Sequence, residues 1–445
     1  MNHADELGLL DEALAVLADG FTDLPDYDHS VDVDALRPVL IETARRMTDN
    51  YPYFHPLYAG QMLKPPHPVA RIAYALSLWI NPNNHALDGG RASSAMEKEC
   101  VSHLADMFGW KTHLGHLTSG GTMANLEALW VSDRLHPGKR ILASKQAHYT
   151  HGRITDVLKI PYSSVACGPD GSMDLDALED ELKKGDVGTV VVTLGTTGIG
   201  AVDPLNDILA FREHYGIRVH VDAAYGGYFT LSSILGERVR ARYDSVVDAD
   251  SIVIDPHKHG LQPYGCGCVL FSDPSVGRFY QHDSAYTYFS SDELHLGEIS
   301  LECSRAGAAA VALWATQRLL PSVPGGEFAS MLDDCIHAAR DFTGLLEGSS
   351  AYQGLFDPML DIAVYSRSGD SADTISAANQ RIFDDAGRLQ HLHLALMNLD
   401  RASVAGQLGI DADGDPVSCL RSVFMKAEQR GMTGDILQRL EAVAS

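Results

Sequence analysis

The sequence predicts an α/β fold whose large domain is built around a mainly parallel, seven-stranded type of sheet. Between about residues 110 and 270, short β-branched runs alternate with stretches of helical periodicity. The runs that predict strands are Val190–Leu194, Arg218–Val221, Ser251–Ile254 and Gly267–Phe271. Buried strands joined by helices are typical of a parallel sheet covered on both faces. A smaller C-terminal α+β domain, with weaker strand signals, is expected to follow.

Residues 1–64 predict a helical segment and an aromatic arm. Leu7, Leu10 and Leu14 recur at spacings of three and four, which is the helical period. The passage Tyr51–Tyr58 is rich in proline and aromatic residues and has no regular period. We expect this arm to pack against another subunit or against the rim of a site.

The large domain is predicted to span residues 65–320. A helix opens near Met96 and continues through Phe108, where a glycine follows it. Leu175–Leu182 and Ile208–His214 are the helices expected between strands. An Ala- and Leu-rich helix then runs from Ser304 to Leu320 and ends at a Pro/Gly-rich break.

The small domain is predicted to span residues 321–445. Its pattern contains two or more helices and a few weak strands, including Leu360–Tyr365. The mixture predicts an α+β unit.

Charge and apolar patterning argue against nucleic-acid and membrane partners. The chain of 445 residues carries a net charge of −25, which offers no basic stripe for phosphates. No apolar run approaches the roughly 20 residues that a bilayer span needs. The acidic N-terminus lacks the basic and apolar regions of a secretory signal.

The cysteines predict a reduced, cytoplasmic protein without a metal site. They are seven in number and widely scattered. Cys266 and Cys268 are separated by one residue and have no second pair, unlike a zinc knuckle. We expect both to be small buried residues.

The most unusual local feature is Lys258, in the run Asp255-Pro256-His257-Lys258 that follows a predicted strand. A lysine held at a strand end can be activated by burial or by neighbouring cations as an amine nucleophile. The same pattern also fits a lysine that caps a turn.

A glycine-rich loop before a helix is a candidate anion site. Its residues are Ser119, Gly120, Gly121 and Thr122. Glycines let backbone N–H groups approach a ligand closely, and the helix start adds partial positive charge. An ordinary helix N-cap would have the same composition.

Three further features follow predicted strands or loops. His148 could stack on a planar ring, or be a hydrogen-bonded loop histidine. Thr196 lies in a Gly/Thr loop that displays hydroxyls, or that is simply a turn. Asp222 comes directly after an apolar strand and needs a partner because a buried, unpaired carboxylate is costly; an N-cap is the alternative.

Together these features match the needs of pyridoxal 5′-phosphate (PLP). A phosphate cradle, a ring-stacking imidazole, a carboxylate for the ring nitrogen and a lysine for the aldehyde are all required by that cofactor. Their conjunction, in this order, is more specific than any single member.

The same segments resemble the group II PLP-dependent amino acid decarboxylases, which include the glutamate, aromatic amino acid and tyrosine decarboxylases. The resemblance is carried by Ser119–Thr122, His148, Gly195–Thr197, His220–Gly227 and Asp255–Lys258. It is strong over roughly residues 65–320 and implies a fold type I enzyme. It also implies a homodimer with the site at the subunit interface.

Residue roles follow from the resemblance alone. Lys258 is similar to the Schiff-base lysine, and His257 to the residue before it, near the phosphate. Asp222 matches the partner of the ring nitrogen, and Ala224 the small residue on one ring face. His148 matches the histidine that stacks on the other face.

The remaining implied roles concern the phosphate loop and the ring hydroxyl. Ser119, Gly120, Gly121 and Thr122 match the phosphate loop. Thr196 is expected near the ring hydroxyl or near the carboxylate that partners the ring nitrogen.

Candidates for substrate binding and proton transfer are less well matched. Arg305 resembles an arginine of the family, but Ala306 replaces the family's proline, and its role is structural or substrate-orienting. His85 could hydrogen-bond a polar substrate side chain. Tyr288, chosen over Tyr286, is expected to donate a proton to Cα from a loop supplied across the dimer interface.

The sequence therefore predicts a PLP-dependent L-amino acid α-decarboxylase that releases an amine and carbon dioxide through Lys258. The alternatives are a carbon–carbon lyase, an aminotransferase or an aldehyde-forming oxidative deaminase on the same scaffold, and a non-catalytic cofactor-binding protein. The pattern does not select one amino acid as the substrate.

Overall fold

The computed structural model describes residues 3–25, 30–281 and 294–444. The α-helices in these ranges are α1 (Ala4–Asp19), α2 (Val33–Met47), α3 (Pro68–Ser77), α4 (Arg91–Met107), α5 (Gly121–Leu135), α6 (Thr150–Leu158), α7 (Leu175–Leu182), α8 (Leu205–Tyr215), α9 (Glu237–Asp244), α10 (Ala308–Leu319), α11 (Glu327–Glu347), α12 (Ala372–Gln390), α13 (Arg401–Leu408) and α14 (Thr433–Glu441). The strands are β1 (Leu114–Thr118), β2 (Arg140–Ser144), β3 (Tyr162–Val165), β4 (Val187–Thr193), β5 (Arg218–Asp222), β6 (Ser251–Ile254), β7 (Gly267–Phe271), β8 (Tyr352–Gly354), β9 (Ile362–Arg367), β10 (Ala395–Leu399) and β11 (Val417–Val423).

The large sheet has seven strands in the order β1-β7-β6-β5-β4-β2-β3. Neighbours from β6 to β3 are parallel, whereas β7 is antiparallel to both β1 and β6. Every residue of β4, β6 and β7 is buried, as their continuous apolar and β-branched composition requires. The prediction of an α/β fold with a mainly parallel seven-stranded sheet is confirmed.

The antiparallel β7 follows from the short connection that precedes it. Residues 255–266 join β6 to β7 without an α-helix, and a parallel return would need a longer crossover. Because β7 is antiparallel to both neighbours, β1 runs in the same direction as β6. The carboxyl ends of β1, β2, β4, β5 and β6 therefore lie at one edge of the sheet, where ligands bind in open α/β folds.

A second, antiparallel sheet of four strands has the order β10-β11-β9-β8. Phe342 of α11 packs on Tyr365 of β9 and on Phe424, with ring centroids 5.2 Å apart in each pair. These rings form the centre of a separate apolar cluster. The predicted boundary at 320/321 falls between α10 and α11.

The N-terminal segment is only lightly attached to the large domain. Neither α1 nor α2 contributes a buried residue. An ion pair of 2.7 Å between Glu6 and Arg71 links α1 to α3. The aromatic arm contacts the small domain of its own chain: the Tyr51 ring centroid lies 4.8 Å from that of His393, and Tyr58 is buried. Packing of this arm against another subunit or the rim of a site stays a prediction.

The seven cysteines are all unpaired. Cys266 and Cys268 are buried at the start of β7, as expected, and burial raises the pKa of both thiols well above the usual range. Within the described ranges, no helix combines the length and the apolarity needed to cross a membrane.

Candidate active site

The loop between β1 and α5 presents backbone amides at the edge of the sheet. Gly120 has a φ of +152°, a conformation that side chains rarely adopt. A Cβ on Gly121 would lie 2.6 Å from Asp255 Oδ2, so a larger residue does not fit without displacing that carboxylate. Because α5 begins at Gly121, its free N–H groups and its dipole favour an anion here.

This loop lines a cavity of about 340 Å³ together with the loops that follow β2, β4, β5 and β6. The volume falls in the range of roughly 300–1,000 Å³ that is common for small-molecule sites. Polar residues dominate its wall. The lining residues are Ser119, Gly120, Gly121, Thr122, Met123, Asn125, His148, Thr150, Thr193, Gly195, Thr197, Asp222, Ala224, Tyr225, Asp255, His257 and Lys258.

Lys258 reaches this cavity from the turn after β6. Its Nζ lies 3.1 Å from Asp255 Oδ2, and its backbone N–H donates to the Asp255 carbonyl at 2.9 Å. His257 Nε2 is 3.5 Å from the same carboxylate oxygen. Asp255 is only 2% exposed, and its Oδ1 has no hydrogen-bond partner among the described residues. The lysine amine is therefore held on a buried carboxylate inside the cavity.

Asp222 ends β5 and is 4% exposed. Its Oδ1 accepts the Ala224 N–H at 3.1 Å, and its Oδ2 lies 2.9 Å from His151 Nε2. Burial opposes ionisation, but the hydrogen bond and the electrostatic attraction of His151, followed by the charge of Lys258, outweigh it and hold the pKa of Asp222 well below its usual range. This residue is thus an ionised carboxylate facing the cavity.

His148 has a fixed ring orientation. The Thr150 N–H donates to His148 Nδ1 at 3.3 Å, and the Thr150 hydroxyl is 2.8 Å from the same nitrogen. The ring centroid lies 4.4 Å from that of Tyr149. Burial lowers the pKa of His148, so the ring is neutral near pH 7 and suited to stack on another planar ring.

Thr196, expected near the ring hydroxyl, does not line the cavity. Thr196 is fully buried, and its Oγ1 accepts the Ala201 N–H at 3.0 Å, whereas its neighbour Thr197 lines the cavity. Tyr288 and the alternative Tyr286 lie outside the described residues. Their assignment as proton donors stays a prediction.

Arg305 and His85, the expected substrate-binding residues, do not line the cavity. Arg305 Nη1 lies 2.9 Å from Glu97 Oε1, and this arginine side chain is 7% exposed. The same Glu97 oxygen accepts the Leu117 N–H at 3.0 Å. Arg305 therefore anchors β1 just before the glycine-rich loop, which fits the structural alternative for its role. His85 accepts the Gly297 N–H through its backbone carbonyl.

Three residues to which the sequence assigned no role support the site. His151 contacts the site carboxylate of β5, and Asp255 holds the site lysine. Arg421 comes from the small domain and donates to the carbonyls of Thr197 and Gly198 at 2.6 and 2.8 Å. The spacing of three residues from the stacking histidine could have indicated His151, but no local signal marks Arg421.

A family model, the pyridoxal-dependent decarboxylase conserved domain, matches residues 46–361. The chain belongs to the pyridoxal-dependent decarboxylase family. It is 27% identical to an L-2,4-diaminobutyrate decarboxylase of Acinetobacter baumannii, over 74% of this chain and 71% of that protein. It is 26% identical to an L-tyrosine decarboxylase of Enterococcus faecium, over 75% and 71% respectively.

Solved structures of other proteins have the same fold as this chain. An Oryza sativa TDC, solved with PLP and tryptamine, superposes with a TM-score of 0.79 at 16% sequence identity and covers 99% of both chains. This likeness confirms the fold type I architecture. With the family match, it makes the chain a PLP-dependent amino acid decarboxylase, and the alternative reactions on this scaffold are not favoured.

The residues of the cavity fit PLP. The backbone amides at Gly120 and Gly121, at the start of α5, line the cavity without a side chain of their own and suit a phosphate. Asp222 supplies an ionised carboxylate for a ring nitrogen, and Lys258 supplies an amine for an aldehyde. The unpartnered Asp255 Oδ1 and His257 Nδ1 add buried polar atoms to this region.

Proposed function

We propose that this decarboxylase removes the α-carboxylate of an L-amino acid as carbon dioxide and releases the amine, with Lys258 as the residue that holds the cofactor. The observation that carries this proposal is the convergence of Lys258, Asp222 and the amide cradle in one cavity. Each of the three groups matches a different part of PLP. When bound, PLP supplies an electron sink for the bond that breaks at Cα.

In this proposal Asp255 positions the lysine amine. The ion pair of 3.1 Å keeps Nζ directed into the cavity. Lys258 would hold the cofactor through its aldehyde when PLP is bound, and its amine would be free once a substrate amine takes that place. The buried carboxylate then offers the released lysine a partner.

Asp222 and His148 have different proposed roles toward the cofactor ring. Asp222 would set the charge of the ring, and His148 would set its orientation. The ionised carboxylate of Asp222 holds a proton at the ring nitrogen, which keeps the ring electron-deficient. The neutral imidazole of His148, held through Nδ1, would pack on one face of a bound ring. Ala224, which also lines the cavity, would leave space on the other face.

The test is a carbon dioxide release assay on purified protein with PLP, over a panel of L-amino acids. The panel includes 2,4-diaminobutyrate and tyrosine, on which the named relatives act. We expect release of carbon dioxide and one equivalent of amine with at least one substrate. Lys258→Ala should abolish turnover, whereas Lys183→Ala, which removes an exposed lysine just after α7, should leave it unchanged.

Other reactions on the scaffold have different products. An aminotransferase would form a keto acid, and an oxidative deaminase would form an aldehyde, with no equivalent amine release. A panel that yields those products but no amine would contradict the proposal.

We also infer that the protein is a homodimer. The helix α2 has no buried residue, although Val33, Leu36, Leu40 and Met47 recur along one face and are each 48–64% exposed. Apolar faces of this kind mark interaction sites. We propose that a second copy of the chain covers this face, because the family resemblance implies a homodimer.

A cytoplasmic location is the last part of the proposal. All seven cysteines are unpaired, which suits a reducing compartment. Fractionation of the native cells, with the protein in the cytoplasmic fraction as the expected result, tests it.

A further inference from the structure

We propose that His151 is a positioning residue for the reaction, and that it acts by fixing the Asp222 carboxylate toward the cofactor ring. This role rests on the proposed function of Asp222 as the partner of the ring nitrogen. His151 lies on α6, is fully buried and is not part of the cavity wall. It can therefore influence the cofactor only through another residue.

The contact between His151 and Asp222 is direct. His151 Nε2 lies 2.9 Å from Asp222 Oδ2, and the Ala224 N–H donates to Oδ1 at 3.1 Å. Each carboxylate oxygen thus has its own protein partner. Rotation of the carboxylate about χ2 would break both contacts, so the plane of the group is set before any ligand binds.

The proton of the imidazole can be assigned from its surroundings. His151 Nδ1 is buried and has no hydrogen-bond partner among the described residues. Nε2 is the nitrogen that faces an ionised carboxylate. Nε2 therefore carries a proton and donates it to Asp222.

A hydrogen-bond donor at this position keeps Asp222 charged, because its contact lowers the pKa of that carboxyl. A hydrogen bond from N–H stabilises the buried charge of Asp222 but leaves that charge in place, so the carboxylate still attracts a ring N–H. The neighbouring His220 makes a separate set of contacts, with its Nδ1 2.8 Å from Ser251 Oγ and its Nε2 2.8 Å from Asn125 Oδ1. His151 is thus the side chain that binds Oδ2.

The competing explanation is that His151 only joins α6 to β5. Affinity for PLP and the visible absorption spectrum of the bound cofactor separate the two roles, because a purely structural link would change stability but not the environment of the ring. Four variants serve: His151→Leu, His151→Gln, Asp222→Asn and the double variant His151→Leu/Asp222→Asn. Glutamine keeps an N–H donor at a similar distance from the backbone.

Thr155→Val is the matched control. Thr155 is buried on the same helix and donates to the His151 carbonyl at 2.8 Å, but it does not contact Asp222. We expect this variant to lower the melting temperature and to leave PLP affinity and spectrum unchanged.

The expected result is that His151→Leu binds PLP roughly 10- to 100-fold more weakly, since hydrogen bonds to charged groups are of that strength. Its bound cofactor should show an altered absorption spectrum, and His151→Gln should restore most of both properties. Asp222→Asn should also weaken binding. In that background, His151→Leu should have no further effect on PLP affinity, because the residue acts through Asp222.

Two results would overturn the inference. One is wild-type affinity and spectrum in His151→Leu; the other is an equal loss of affinity in the presence and absence of the Asp222 carboxylate. If Asp222→Asn binds PLP as the wild type does, the proposed function of Asp222 is wrong and the role of His151 falls with it. His151→Leu thus tests the role of His151, and Asp222→Asn separately tests the proposed role of Asp222 as the partner of the ring nitrogen.

Discussion

Gly121, in the glycine-rich loop, leaves no room for a side chain beside the carboxylate of Asp255. Gly121→Ala places a Cβ 2.6 Å from Asp255 Oδ2 and 2.9 Å from Oδ1. The carboxylate must move, and Lys258 loses its present partner. We expect overpacking to cost about 1–3 kcal/mol in the free energy of unfolding, with a clear loss of PLP affinity.

Gly344→Ala is the control for that substitution. Gly344 lies inside α11, and an added Cβ would meet nothing within 4 Å. Alanine should stabilise the helix by roughly 0.5–1 kcal/mol, with cofactor binding unchanged. Denaturant unfolding and fluorescence titration with PLP measure both quantities. Equal PLP affinity in the two variants would show that the close approach at Gly121 has no bearing on the cofactor.

Tyr288→Phe tests the assignment that lies outside the described residues. If Tyr288 donates a proton to Cα, its loss should leave carbon dioxide release in place but divert product from the amine toward the aldehyde and ammonia, with dioxygen as the oxidant that is reduced to hydrogen peroxide. Tyr286→Phe, two residues away, should retain the amine as product. Chromatography of the products measures the ratio of amine to aldehyde for each variant. Aldehyde from Tyr286→Phe and amine from Tyr288→Phe would show that Tyr286, and not Tyr288, is the proton donor.

Single residues could be predicted where a short local sequence pattern indicates their function. Asp222 ends β5 and Lys258 lies in the turn after β6. Because these strands are parallel, both residues lie at the same edge of the sheet. His151 and Arg421 were not predictable in this way. Their partners lie 71 and more than 220 residues away in the chain, and only packing brings them together.

At the scale of elements, buried strands were the clearest signal. Gly267–Phe271 and Ser251–Ile254 are observed with their predicted bounds, because fully buried strands read as unbroken apolar runs. The direction of β7 was not predictable from its own residues. It depends on the connection before it, which is short and contains no α-helix.

The exposed face of α2 yields a prediction at this scale. Leu36→Asp/Leu40→Asp places two charges on that face, where both leucines are exposed within one chain. We expect the dimer to dissociate because two carboxylates cannot be buried unpaired in an interface. Size-exclusion chromatography with light scattering measures the mass.

Arg45→Asp/Arg46→Asp is the control for the α2 variant. These arginines lie on the same helix and are 74% and 82% exposed. They should leave the mass at that of a dimer. A wild-type protein that elutes as a monomer would contradict the proposed assembly outright.

For the whole molecule, the buried histidine His220 contributes to the loss of stability in acid. Burial lowers the pKa of His220 from 6.5 to about 3, so the unfolded chain takes up a proton in this interval and the folded chain does not. Stability is therefore lost as pH falls below 6.5, at about 1.4 kcal/mol per pH unit for such a group. Asp203 acts in the opposite sense, because burial raises its pKa to about 6.

The contribution of His220 can be isolated by comparison. Between pH 6 and pH 4, His220→Gln should reduce the slope of the unfolding free energy against pH by about 1.4 kcal/mol per pH unit. This is the slope that corresponds to uptake of one proton on unfolding. Urea titrations at several pH values give that slope. Identical slopes for the variant and the wild type would mean that His220 is not the buried neutral group described above.

Lys258 is proposed to be the residue that binds PLP covalently in the cavity. Reduction of the PLP-loaded protein with borohydride, followed by peptide mass spectrometry, locates the lysine that carries the cofactor. We predict a single pyridoxyl group on the peptide that contains Lys258, with none in Lys258→Ala. Labelling of another lysine, or no labelling of the loaded protein, would contradict the account.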